Sequence, residues 1–146
     1  MKRSTIVDAT ARLIFHSALM LSLYLLVAGH NQPGGGFVGG LVSGAAVAVY
    51  YIAGGIDDVR AISRLAPWTI LGGGLVLATG AALVPLVLGG SVLEAGGWTW
   101  DAGALGEIKA TSTLIFDTGV YAVVVGLVFM VFEAFGEEAQ PEGGDS

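Results

Sequence analysis

The segment Gly29-His30-Asn31-Gln32-Pro33-Gly34-Gly35-Gly36-Phe37-Val38-Gly39-Gly40 constrains this chain more than any other. It joins two apolar stretches, one ending at Ala28 and one running on from Phe37. A turn so rich in polar groups, proline and glycine cannot be satisfied by lipid, so it must face water, headgroups or protein. It also begins a glycine ladder along which a second backbone can approach closely. A membrane setting follows from the rest of the chain: only 12% of the 146 residues are charged, and mean hydropathy is +0.78. Soluble proteins carry about 25% charged residues.

The apolar runs predict an all-α polytopic protein with four spans, about 13–29, 35–56, 67–89 and 111–132. Each is near or beyond the length needed to cross a hydrocarbon core of about 30 Å as a helix. Residues 1–136 then form one transmembrane domain, and 137–146 an acidic tail of disordered composition. Pro85 should kink or loosen the end of the third span. Lys2 and Arg3 before an apolar run have the outline of a signal peptide. However, Asp8 and Arg12 interrupt it, and no A-x-A site follows.

Of the six basic residues, Lys2, Arg3, Arg12, Arg60 and Arg64 fall on one side of a four-span topology and only Lys109 on the other. The positive-inside rule makes the first side cytoplasmic and predicts an N-in, C-in chain. The turn at His30 and the loop before Lys109, with Trp98 and Trp100, then face outward. The net charge of −6 argues against nucleic acid as a partner. With no cysteine there is no disulfide or thiolate metal site. No cofactor, metal centre or catalytic constellation is expected.

Gly36, Gly40, Gly44 and Ala48 recur four apart, and Gly35 and Gly39 repeat the spacing one position earlier. Such a ridge is a close-packing face for another helix, expected here to bind a partner subunit. Gly34, Gly36 and Gly39 match G-x-G-x-x-G by letter, but a membrane span precedes them instead of a strand, so a nucleotide fold is rejected.

Asp117 is the sharpest polar candidate. It lies about one and a half turns into the fourth span, where a carboxylate costs about 2.5–3.5 kcal/mol on insertion scales. It should therefore face protein or water. Thr113 and Tyr121, four residues to either side, would offer it hydroxyls. Two roles stand: a cation or proton relay, or an interhelical hydrogen bond that fixes assembly. Glu107 and Lys109 precede the same span; Lys109 reads either as an interfacial anchor or, two turns away, as partial compensation for Asp117. His30 and Asn31 can cap the outer end of the first span, and His30 can also titrate near neutrality. His16 reads as a hydrogen-bonding group across a helix interface.

Two stretches carry a specific resemblance: LLVAGHNQPGGGFVGGL from Leu25 to Leu41, and KATSTLIFDTGVYAVVVG from Lys109 to Gly126. Together with the acidic tail they resemble the B subunit of the multisubunit Mrp (Mnh) cation/proton antiporters. The family positions fall on His30, Asn31, Pro33, Gly34, Gly35, Gly36, Phe37, Gly39, Gly40, Lys109, Asp117, Gly119 and Tyr121. Ala122 is smaller than expected, which should loosen one contact. The resemblance implies a small subunit of a hetero-oligomeric antiporter in a bacterial or archaeal plasma membrane, exchanging Na⁺ for H⁺ with other subunits. It would mainly help assemble the complex, with an ion path alongside. The competing classes are an independent homo-oligomeric transporter or channel centred on Asp117, and a pure assembly scaffold.

Overall fold

The computed structural model describes residues 5–29, 35–63, 65–87, 97–101 and 107–138; for 97–101, 107–111, 137 and 138 it describes backbone alone. The elements are α1 (Thr5–Ala28), α2 (Gly35–Gly54), α3 (Ile56–Ile62), α4 (Pro67–Val87), β1 (Gly97–Asp101), β2 (Glu107–Thr111) and α5 (Ser112–Glu138). Four of these helices, α1, α2, α4 and α5, are long and apolar enough to cross a membrane. α1 begins at Thr5, well before the apolar run at Leu13, with Asp8 in its first turn, where the helix dipole favours a carboxylate. Its 24 residues rise about 36 Å. α5 runs six residues past Phe132, into the acidic segment.

The glycines and prolines decide where the helices stop. α2 ends at Gly54 because Gly55 takes φ +82°, a left-handed value that glycine adopts without strain. The Gly55 N–H still bonds Tyr51 O at 2.7 Å, and α3 begins at the next residue, Ile56. Pro67 opens α4 at its first helical position, where no N–H is required. Pro85 does not end α4, which continues to Val87. The proline leaves the Ala81 carbonyl without its usual helical donor. Ser112 Oγ, from the start of α5, reaches that carbonyl in a long 3.4 Å contact. Between α4 and α5, β1 and β2 pair antiparallel, with Trp98 opposite Ala110 and Thr99 opposite Lys109.

The four long helices form an open layer in the order α1, α2, α5, α4, without closing into a ring. α5 is gripped from two sides. Toward α2 it presents Asp117, Tyr121, Val124 and Val128. A methyl group built on Gly36 would overlap the Asp117 backbone, one on Gly40 would lie 2.8 Å from Val124 Cβ, and one on Gly44 would lie 2.8 Å from Val128 Cγ2. Toward α4 it presents Gly119, Ala122 and Gly126. A methyl on Gly119 would fall 2.5 Å from Ala78 N, one on Gly126 2.6 Å from Leu71 N, and one on Gly74 of α4 2.8 Å from Ala122 Cβ. At about 100° per residue, these two sets lie on opposite sides of α5.

α2 uses a second glycine face for α1. A methyl on Gly39 would sit 2.8 Å from Ser22 O, and one on Gly35 2.7 Å from the Gly29 carbonyl carbon. The helices thus meet backbone to backbone near the α1–α2 connection. At the other end large side chains fill the space: Phe15, Val47, Val59 and Phe129 form the buried cluster, with Tyr50, Tyr51 and Phe132 against it. Tyr51 and Phe132 stack 4.8 Å apart, and Phe15 and Tyr50 5.0 Å apart.

The ridge of Gly36, Gly40 and Gly44 is therefore occupied within the chain, by α5, and not by a partner subunit as its spacing had suggested. Ala122 faces Gly74 of α4 in the second of these seams.

Replacing Gly36 by leucine should separate α2 from α5, with a loss of at least the 1–3 kcal/mol, roughly, of an overpacked core. Gly73→Ala is the control, because a methyl there meets nothing within 4 Å. Thermal unfolding of the purified chain in detergent should show a large drop in midpoint for Gly36→Leu and none for Gly73→Ala.

Candidate functional site

The polar junction of the molecule lies where α1, α2 and α5 converge. Ser22, in the middle of an apolar helix, is fully buried. Its Oγ donates to Gly39 O at 2.7 Å. The Tyr121 hydroxyl lies 2.9 Å from the same oxygen. A serine hydroxyl has one proton, here given to the carbonyl, so Tyr121 donates and Ser22 accepts. Gly39 makes this possible, since a side chain there would strike the Ser22 backbone and the Tyr121 ring. One hydroxyl pair thereby ties α1 to α5, two helices that otherwise touch little.

Asp117 stands one turn before Tyr121 on the face of α5 that meets α2. It is half-buried, with its backbone against Gly36. Thr113 lies one turn earlier and is also half-buried. The structure thus brings Asp117, Tyr121, Gly36, Gly39 and Gly40 into one junction. It directs the Tyr121 hydroxyl to Ser22, where helical spacing had pointed to Asp117. Gly44 belongs to the same seam, two turns from Gly36, and Gly35 packs on Gly29. Phe37 is about half exposed at the layer's surface.

Lys109 is not a helical neighbour of Asp117. It lies in β2, paired with Thr99, so a separation of two helical turns does not apply. His30, Asn31, Pro33 and Gly34 lie outside the described residues. His16 makes no interhelical bond through Nδ1. It donates to Arg12 O at 2.7 Å within its own helix, and its side chain is exposed. Among the described residues, no three His, Cys, Asp or Glu side chains gather into a metal site.

Sequence reasoning missed Ser22, although a lone hydroxyl within an apolar span is the signal for it. It also missed a charged contact at the far end of the layer, where Arg60 Nε of α3 lies 3.7 Å from Glu133 Oε1 of α5. Asp8, Arg12, Tyr50 and Asp58 line one small cleft. The start of α1, the whole of α3 and the end of α5 therefore share one end of the layer.

A family description, "domain related to MnhB subunit of Na⁺/H⁺ antiporter", matches residues 6–130. The chain belongs to this family. It is 33% identical over 133 residues to the B subunit of the Na⁺/H⁺ antiporter of Bacillus subtilis, covering 91% of this chain and 93% of that protein. It is 32% identical over 130 residues to the corresponding B subunit of Alkalihalophilus pseudofirmus, covering 87% and 88%. Among solved structures it is similar to a chain of the Mrp complex from a Dietzia species, with TM-score 0.71 and 32% identity over 97% of this chain. The match spans 14% of that longer chain. Its four long apolar helices make this member of the family a multi-pass membrane protein.

The Ser22–Tyr121 bond should be worth about 0.6 kcal/mol, with roughly 1.7 as an upper figure for a hydrogen bond between membrane helices. In a double-mutant cycle of Ser22→Ala and Tyr121→Phe, read by unfolding in detergent, the double variant should lose less stability than the two single losses added together.

Proposed function

We propose that this chain is the B-type subunit of a multisubunit Na⁺/H⁺ antiporter in a bacterial or archaeal plasma membrane, working only in company with other subunits. The observation that carries this reading is the joint match of sequence and four-helix fold to one segment of a Mrp-complex chain. The subunit is held to its neighbours by lipid-embedded surfaces. An open layer with α1 and α4 at its edges supports such docking, because both edges present large apolar side chains outward. A chain with so few intramembrane charges cannot by itself bind a cation, move protons and alternate access, which favours a subunit over an independent transporter or channel.

Within that subunit, Asp117 is the residue assigned to ion handling. It is a carboxylate in a membrane helix, half-buried at the tightest helix contact, one turn from the hydroxyl pair. Asp117→Asn keeps the size and removes the charge. A relay role predicts normal assembly with antiport lost or shifted in pH dependence, measured in everted vesicles carrying the whole complex. Full antiport by Asp117→Asn across pH and cation concentration, with Asp117→Leu failing to assemble, would assign the residue to packing and the subunit to scaffolding.

The proposed orientation is N-in and C-in, supported by the places of Lys2, Arg3, Arg12, Arg60 and Arg64 in the sequence, before the first span and between the second and third. Cysteines introduced singly at Ser63 and Gly97 should label from opposite sides of the membrane, Ser63 from the cytoplasm. Labelling of both from outside would reverse the assignment.

A further inference from the structure

An ionisable side chain, His16, stands on the outer face of a membrane helix. The exposed face of α1 is centred on Met20, 74% exposed, and Leu13, His16, Ser17 and Tyr24 all fall within about 60° of it around the helix. The buried residues Phe15, Ser22 and Leu26 lie on the other side, where α1 meets α2. His16 is also deep along the helix. Counted back from Ala28, a hydrocarbon core of about 30 Å takes in about 20 residues of α1. His16 then lies about 18 Å from the Ala28 boundary and about 12 Å from the opposite one.

We infer that this face of α1 docks a membrane helix of another antiporter subunit, one that presents a hydrogen-bond donor to His16 Nε2; the inference rests on the subunit reading above. Nδ1 of the ring lies 2.7 Å from Arg12 O. A carbonyl oxygen has no proton to give, so Nδ1 carries one and Nε2 of the neutral ring is an acceptor. Among the described residues, the bond to Arg12 is the one hydrogen bond His16 makes. Hydrocarbon offers Nε2 no donor, and ionisable side chains at such depth face protein or water. The hydroxyl of a serine or threonine, or the amide of an asparagine or glutamine, on a neighbouring helix supplies what is missing.

His16, and not its polar neighbours, selects protein over lipid as the occupant. Ser17 can turn its hydroxyl to a carbonyl of its own helix. Tyr24, one turn before the end of α1, can reach the headgroup layer. His16 already uses the local carbonyl, through Nδ1, and Nε2 is still left without a donor in the hydrocarbon. The opposite edge of the layer makes no such demand. The exposed polar side chains of α4 are Thr69 and Thr79, and a threonine has the same local option as Ser17.

The test uses the tagged full chain co-expressed with the other subunits of its complex. A photo-crosslinking residue in place of Met20 should, on illumination in membranes, form an adduct with another subunit, identified by mass spectrometry. His16→Leu should lower recovery of the other subunits with the tagged chain several-fold. His16→Gln, whose amide oxygen also accepts, should restore most of it. Neither substitution should move the unfolding midpoint of the chain alone in detergent, because the ring is exposed there. No protein adduct from position 20, an adduct with a second copy of this chain, or normal subunit recovery with His16→Leu would each overturn the inference. Recovery of no other subunit by the unaltered chain would overturn the subunit reading itself, and this inference with it.

Discussion

Everything in this structure depends on how closely other helices can approach α5. Lipid chains are as apolar as leucine, so membrane helices gain nothing by hiding hydrophobic surface from lipid. They are held by dispersion contacts and a few hydrogen bonds. Dispersion falls steeply with distance, and a gap of about an ångström forfeits up to half of each contact. α5 meets this constraint twice. Gly36, Gly40 and Gly44 come to its one side from α2, and its own Gly119, Ala122 and Gly126 receive Leu71, Gly74 and Ala78 of α4 on the other. The glycine content that would weaken a helix in water is what makes these seams possible.

The arrangement of the seams sets the shape. Because the two faces of α5 are opposed, α2 and α4 cannot meet, and the helices spread as a layer. Because the two glycine faces of α2 are only about a third of a turn apart, α1 folds toward α5 closely enough for Ser22 to reach Tyr121. One polar junction is thereby built from three helices, with Asp117 at its edge. At the opposite end the aromatic cluster, α3 and the Arg60–Glu133 contact brace the layer. Its outer faces, on α1 and α4, are left for lipid and neighbouring molecules.

Much of this was legible in the residues. Hydrophobic length located the four spans, and the four-residue glycine spacing marked a packing face. The spacing did not reveal what the face packs on. A small-residue ridge looks the same whether its partner lies on another polypeptide or two helices later in the same chain. Local rules failed where tertiary contacts decide. Tyr121 is four residues from Asp117, yet its hydroxyl is drawn across to Ser22. Lys109 does not keep a helical spacing to Asp117, because β2 holds it in an extended segment. Ala122 lies against Gly74 of α4, a contact between helices that no local spacing shows. α3 was hidden by the brevity of its seven residues, and only Gly55 marks its start.

The central claim, that α5 is gripped by α2 within one chain, can be measured by cross-linking, for which the natural absence of cysteine gives a clean background. A Cβ built on Gly44 lies 3.6 Å from Val128 Cβ, within the range a disulfide spans. Gly44→Cys with Val128→Cys should oxidise in membranes to an intramolecular disulfide, seen as a faster-migrating monomer on non-reducing gels that reverts on reduction. A disulfide-linked dimer in its place, or no oxidation while each cysteine still reacts with a thiol reagent, would contradict the α2–α5 seam and the layer built on it.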